Sequence, residues 1–242
     1  MKLTIVVPAH NEEENIAGLI NKIESSNFVI DFELVVVADH CTDSTVKVVN
    51  EEIKKFRNLR VVENNFDSGF ANALKTGFLN ARGDLILPVM GDLCDDLKTV
   101  NLMYGKIMEG YDIVCGSRYM RGGSRLGGSK LKSFFSSMGG RSLHRILNIP
   151  THDIANAFKM YRKEIIQAVD IQAKGFEISM ELPLKAYYLG FKIAEIPTVW
   201  KERTKGKSSF KMFKLLPSYL KLYIWGVYKS FFSGRIKDGI AK

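Results

Sequence analysis

The chain is poor in the features that mark secreted or membrane-spanning proteins. It has three cysteines in 242 residues, Cys41, Cys94 and Cys115, an odd count without metal-ligand spacing. Neither a disulfide framework nor a zinc site is expected, and a reducing, cytosolic setting fits. The opening "MKLTIVVPAH" has an apolar stretch too short for the core of a signal peptide, so no cleaved leader is expected. A spanning helix needs roughly 20 mostly apolar residues, and no run of that kind occurs. There are only six prolines, and no Pro/Ser-rich linker, low-complexity tract or internal repeat divides the chain. The four histidines, His10, His40, His144 and His152, lack ligand spacing and are assigned to no metal. Acids are missing from one whole region: between Arg203 and Lys237 there are nine Lys or Arg and no Asp or Glu.

What remains is 46% hydrophobic, enough for one sizeable core in a single α/β unit. "LTIVVPA" (3–9), "FELVVVAD" (32–39), "LRVVEN" (59–64), "DLILPVM" (84–90) and "DIVCGSR" (112–118) are short, β-branched runs of the type buried on both faces of a sheet. Helical patterns lie between them: one after Asn11, its expected N-cap; one after Thr42 or Asp43; "GFANALKTGFLNA" (69–81); and "LKTVNLMYGKIM" (97–108). Alternation of this kind predicts a mostly parallel, doubly wound sheet flanked by helices. Farther on, residues 152–164 contain a short strand after Asp153. A helix follows with Glu177 and Glu181 on one face, then the strand "KIAEIPTVW".

In such sheets ligands sit beyond the carboxyl ends of the strands. The residues to weigh are therefore Pro8 to Glu12, Asp39 to Asp43, Gly91 to Asp96, and Ser117 with Arg118. Asp39 suits the N–H groups of a base or ribose hydroxyls, or else caps the next helix. Asp92, Asp95 and Asp96 offer oxygen to a hard cation, which often takes one or two carboxylates with diphosphate and water completing its shell. Alternatively Asp95 and Asp96 are the acidic start of a helix. "SRYMRGGSRLGGSKLK" (117–132) has the Gly, Ser and cation content of a loop that closes over phosphates, or of a plain solvated loop. Glu177 is either a ligand to a hydroxylated substrate or a helix-face acid.

The basic C-terminal region carries "LLPSYLKLYIWGVYKSFF" within it, broken by Pro217 and Gly226 and interrupted by Lys221 and Lys229. Nucleic-acid patches rarely hold such a stretch, so no nucleic-acid partner is expected. Lys with Tyr, Trp and Phe on a short helix fits a segment lying in a membrane interface. Dimerisation or a membrane-protein partner would also suit it.

In order along the chain, "VVPAHNEEENI", "VVVADHCTDST", "GFANALKTGFLNARGD", "MGDLCDD", "GSRYMRGG", "DIANAFKMYRKE" and "GFEISMEL…GFKIAEIPTVWKER…GKSSF" resemble the motif series of family 2 glycosyltransferases with the GT-A fold. The likeness is greatest to the dolichol-phosphate mannosyltransferase and polyprenyl-phosphate glycosyltransferase branch, over roughly residues 3–212. It implies a GT-A domain over 1–212 followed by a basic aromatic segment, 213–242, at the membrane interface. It implies that Pro8, Ala9, Asn11, Glu12, Asp39 and Gly91 bind a nucleotide-diphosphate sugar, with Asp39 on the base. Asp92 matches the second acid of a metal-binding Asp-x-Asp, so Mg2+ or Mn2+ on Asp92, with Asp95, is expected. Arg118 matches an acceptor-loop arginine, joined by Arg121, Lys130 and Lys132 on an acceptor phosphate. Asp153 matches an acid near the sugar, and Lys207 and Ser208 fall in a "G-x-S-K"-like segment. The chain departs from the pattern in places. Ala38-Asp39 stands for paired acids, His40-Cys41 for Gly-Ser, and Asn64 and Asn65 for an Arg-Asn. Met90-Gly91-Asp92 stands for Asp-Ala-Asp, and Met is a soft thioether with poor affinity for either cation.

The activity implied is inverting transfer of a sugar from the nucleotide to a polyprenyl phosphate, with the enzyme held peripherally on the cytoplasmic face of a membrane. Transfer to a saccharide or other hydroxyl acceptor would require Asp153 or Glu177 as base. A homologue that binds nucleotide sugar without turnover is the third alternative.

Overall fold

A computed structural model describes residues 1–203 and 212–232. Lys207 and Ser208 lie outside them, as do the side chains of Lys130 and Lys132. The elements run β1 (Leu3–Ala9), α1 (Ile16–Glu24), β2 (Phe32–Ala38), α2 (Thr45–Ile53), β3 (Leu59–Glu63), α3 (Phe70–Asn80), β4 (Leu85–Pro88), α4 (Val100–Met108), β5 (Ile113–Ser117), β6 (Ser124–Leu126), α5 (Lys130–Leu147), β7 (Lys159–Arg162), α6 (Lys163–Ala168), α7 (Ile178–Tyr188), β8 (Ile193–Pro197), β9 (Val199–Lys201) and α8 (Met212–Phe232). A seven-stranded sheet has the order β3-β2-β1-β4-β7-β5-β8, and β6 pairs with β9 beside it.

Within the large sheet β7 alone is antiparallel, to both β4 and β5. The others run together, as continuous apolar strands buried on both faces require. Period-two alternation divides β1 between two cores: Leu3, Ile5 and Val7 belong to the one shared with α1, α2 and α4, and Val6, packed against α3, to the one shared with α3, α5, α6, α7 and α8. Reversal of β7 has a local consequence. Its beginning, not its end, reaches the edge where the neighbouring strands end, and this carries Asp153 there.

Three expectations about local structure are corrected. Helix α1 starts at Ile16 with Asn15 at its N-cap, while Asn11 adopts a φ of 54° and serves the preceding loop. Helix α2 is entered through Ser44; Asp43 instead accepts the Thr45 N–H at 2.9 Å. The segment read as a loop, 117–132, forms β6 and the start of α5, an 18-residue helix that the sequence reading did not contain.

Neither Pro217 nor Gly226 breaks α8, which is one helix of 21 residues. Gly226 has a packing reason: a Cβ there would come within 3.1 Å of the Leu184 side chain, where α8 crosses α7. The Tyr188 hydroxyl donates to the Gly226 carbonyl at 2.5 Å, and the Tyr223 hydroxyl donates to Ser142 Oγ of α5 at 3.1 Å. The described part of the C-terminal segment is thus seated on the body. Among the described residues no helix is long and apolar enough to cross a membrane.

Candidate functional site

Sheet order reverses between β1 and β4, and a cleft of about 640 Å³ opens at the carboxyl ends of β1, β2 and β4. Pro8, Ala9, Asn11, Glu12, Asp39, Gly91 and Asp92, all read from the sequence as nucleotide-sugar residues, line it together. Asn11 takes the left-handed conformation that Asn tolerates, and its Oδ1 accepts the Thr42 N–H at 2.8 Å. The β1 and β2 exits are thereby tied to each other. Asp39 is buried and accepts from Asn64 Nδ2 (2.7 Å), the Gly69 N–H (2.9 Å) and Ser68 Oγ (3.3 Å). It caps nothing in α2. Asn64, standing where the family carries Arg-Asn, passes the network on by accepting from Thr76 Oγ1 at 2.9 Å.

The β4 exit answers how its acids are used. Gly91 leaves little space: a Cβ would lie 3.4 Å from both Glu12 Cγ and the Pro8 carbonyl. Asp92 Oδ1 accepts the Cys94 N–H at 3.2 Å, and its Oδ2 lies 2.6 Å from Arg203 Nη2. Arg203 Nη1 is 3.6 Å from Glu12 Oε1. Asp95 turns away from the cleft and accepts the Met90 N–H at 2.8 Å. Burial, with the negative charge of Asp92 adding to it, pushes the Asp95 carboxyl up to about 7. Asp96 caps the turn before α4 by accepting the Lys98 N–H at 3.2 Å. Hard-cation ligation wants converging anionic oxygens. Here one position is a thioether, Asp92 is ion-paired and Asp95 is turned inward. Among the described residues no three His, Cys, Asp or Glu converge as a metal site. The donor set does not fit Mg2+ or Mn2+.

A second cavity, about 600 Å³, runs between α5 and α8 over the start of α7. Its walls are largely apolar, with Phe135, Met138, Leu143, Leu216 and Tyr219 among them. At its inner end stands Arg118, whose Nε and Nη2 donate to the two oxygens of Asp153 at 2.7 and 2.8 Å, while its backbone N–H donates at 3.0 Å. Burial alone would lower the guanidinium pKa, but Asp153 more than offsets this and raises it. Arg118 therefore presents a fixed positive charge. Ser136 Oγ of α5 lies 3.5 Å from Nη2. Behind it, Lys159 is fully buried with Nζ donating to the Ile154, Asn156 and Ser179 carbonyls, which pins the turn that carries Asp153.

The two cavities meet. Met90, Asp92, Phe176 and Arg203 line both. Phe176 is fixed by stacking on Phe70, centroids 4.4 Å apart. Sequence reading missed Phe176 and Arg203; the one signal for the arginine was its place in "WKER" directly after the last strands. Arg121, expected on the acceptor phosphate, is exposed and lines neither cavity, because β6 and the turn before it carry it outward. Lys130 and Lys132 belong to the first turn of α5, with side chains outside the description. Glu177 accepts the Lys174 and Gly175 N–H groups at 3.1 Å each, and Glu181 accepts those of Gln172 and Ala173. Both carboxylates hold the entry to α7.

Known proteins share this architecture. The S. aureus TarS fragment 1–349, solved with UDP-GlcNAc, superposes with a TM-score of 0.69 at 20% identity, over 97% of this chain and 68% of that one. Glucosyl-3-phosphoglycerate synthase from Mycobacterium tuberculosis, solved with Mn2+, UDP and glucosyl-3-phosphoglycerate, gives 0.67 at 19% identity, over 98% and 81%. In sequence, a dolichol-phosphate mannosyltransferase of Pyrococcus furiosus is 31% identical over 232 residues. The match takes in 93% of this chain but 64% of the relative, so the chain spans under two thirds of that protein's length. A polyprenol monophosphomannose synthase of Mycolicibacterium smegmatis is 22% identical, over 92% of this chain and 86% of its own. The model of glycosyl transferase family 2 matches residues 4–170, from the first residues of β1 to just past α6, and the chain belongs to that family.

Proposed function

We propose that the chain is an inverting glycosyltransferase that moves a sugar from a nucleotide diphosphate in the first cleft to the phosphate of a polyprenyl lipid in the second. The observation that carries this is the junction of the two cavities: a polar cleft at the strand exits opens into an apolar groove, with Arg118 and Arg203 near the opening. An apolar groove with half-buried cationic donors at its inner end suits a lipid phosphate. The names of the sequence relatives point to the same acceptor class.

The chemistry requires little beyond placement and charge. A lipid phosphate is already ionised at neutral pH, so its oxygen attacks the anomeric carbon without a strong base. Arg118, locked by Asp153, fixes that phosphate and offsets its charge. Displacement from the face opposite the departing diphosphate inverts the anomeric centre. No step runs through a divalent cation, since the acids at the β4 exit are engaged elsewhere. A hydroxyl acceptor is disfavoured because Asp153 is 1% exposed and chelated by Arg118, and Glu177 is tied to backbone. Neither is placed as a base.

Membrane association belongs to the same reading. Phe134, Phe135 and Met138 of α5 and Leu216, Leu220, Ile224 and Tyr228 of α8 are exposed apolar side chains on the two helices that border the groove. We place the enzyme on the cytoplasmic face of a membrane, with these helices and the basic segment at the interface. Incubating the protein with polyprenyl phosphate in vesicles and a panel of labelled nucleotide sugars tests the reading. Label is expected in the organic phase. No lipid label from any donor, beside measurable nucleotide binding, would leave a silent binder or another acceptor.

A further inference from the structure

We infer that Arg203 occupies the role of a divalent cation at the donor diphosphate, so that nucleotide-sugar binding is independent of metal. The inference rests on the reading that the first cleft takes a nucleotide-diphosphate sugar. That cleft is lined by Glu12, Glu13, Glu14, Asp39, Asp43 and Asp92, and a diphosphate entering it needs a positive charge. Among its described lining residues Arg203 is the one cation.

Glu14 aside, the acids of the cleft already hold other groups, Glu13 by accepting the Ser44 N–H at 2.8 Å. Asp92 has one oxygen on the Cys94 N–H and the other on Arg203. Glu12 has one oxygen on Asn15 Nδ2 and the other facing Arg203. Asp39 holds the loop before α3, and Asp43 accepts the Thr45 and Glu13 N–H groups. Asp95 serves Met90, and Met90 itself occupies the place of the missing carboxylate. With the first acid gone, the remaining one needs a counter-charge, and a guanidinium at 2.6 Å provides it.

Position agrees with charge. Arg203 lines both cavities, so a diphosphate leaving at their junction meets a planar, permanently charged group that pairs with phosphate oxygens in bidentate fashion. The Asp92 and Glu12 carboxylates act as positioning residues for it. Attraction between a guanidinium and a diphosphate is screened by salt, so binding is expected to weaken as ionic strength rises.

Titration calorimetry on the full chain with UDP, GDP and their sugar conjugates tests this, once in EDTA and once in Mn2+. Electron paramagnetic resonance of Mn2+ with the bound nucleotide runs beside it. The expected result is a Kd that differs less than about twofold between the two conditions, no loss of the free Mn2+ signal on adding the protein beyond that caused by the nucleotide alone, and at least tenfold weaker binding in Arg203→Met with partial recovery in Arg203→Lys. Met90→Asp restores the paired acids and is expected to make binding respond to Mn2+. This arm and the EDTA arm stand even if Arg203→Met fails to fold. Binding that tightens tenfold or more in Mn2+, or Mn2+ captured with nucleotide by the parent chain, overturns the inference and leaves the lipid-phosphate reading intact. Metal-independent binding without lipid label does the reverse. No nucleotide binding in either condition overturns both.

Discussion

Asp153 and Arg118 illustrate how a buried ion pair sets a charge in place. Asp153 is buried and Arg118 half-buried, and three hydrogen bonds join them. Removing one partner strands the other, at about 3–5 kcal/mol. Asp153→Asn is therefore expected to unfold at lower urea as well as to lose transfer; unchanged unfolding would mean that the pair is solvated. Arg118→Lys keeps a charge but loses the fork, and with it a charge-assisted bond of roughly 1.5–3 kcal/mol. Lipid labelling should fall at least tenfold. Asp95 gives a residue-scale test in pH. Its carboxyl rises from an ordinary 3.8 to about 7 in the folded chain, so folding favours the protonated form. That contribution is complete below the unfolded value and is lost as pH climbs through about 7. The parent chain is expected to lose stability over this window relative to Asp95→Asn, which keeps a side-chain oxygen for the Met90 N–H. Parallel stability curves for the two would show that Asp95 stays ionised when folded.

At the scale of elements, α3 lies so close to β1 that a Cβ on Gly77 would approach Val6 Cγ1 to 2.2 Å. Alanine normally favours a helix over glycine by about 1 kcal/mol, yet here overpacking of a rigid strand should win. Gly77→Ala is expected to destabilise by about 1–3 kcal/mol in urea unfolding; a stabilised variant would mean that α3 can lift from the sheet. Such contacts explain what was legible. The parallel strands could be read because β-branched runs buried on both faces have no other home, and Asp39 and Asp92 followed from the rule of strand exits. Direction is not written in a four-residue strand, so the reversal of β7 was hidden. Helix α5 was hidden by its own composition. Its first residues fall in the Gly- and Ser-rich run that reads as a loop, and it holds the pair Gly139-Gly140; a Cβ on Gly140 would meet the His152 carbonyl at 2.3 Å, so that glycine serves a close approach. Arg203 meets Asp92 across 111 residues, a pairing that no local pattern announces.

The whole molecule carries a net charge of +9 and presents exposed apolar side chains on α5 and α8, the two helices that border the groove, some of them lining its walls. Monomeric proteins in water seldom keep such stripes bare. A lipid phosphate must also leave the bilayer only partly, head first, for the reaction to be affordable in hydrophobic terms. Both constraints are met if the groove opens toward the membrane and the stripes sink into the interface. Two forces would then hold the protein, and they separate by experiment. Electrostatic attraction to anionic headgroups falls with salt, whereas apolar insertion does not. Sedimentation with phosphatidylglycerol vesicles is expected to recover the protein at low salt, with a salt-resistant fraction left at high salt. Leu220 and Ile224 are exposed, so Leu220→Asp with Ile224→Asp should change stability by no more than about 1 kcal/mol in solution. Each side chain would forgo roughly 1.5–3 kcal/mol of burial in lipid, so the double variant should lose the salt-resistant fraction. If it sediments as the parent does at high salt, the stripe on α8 faces something other than lipid, and a protein partner becomes the better occupant.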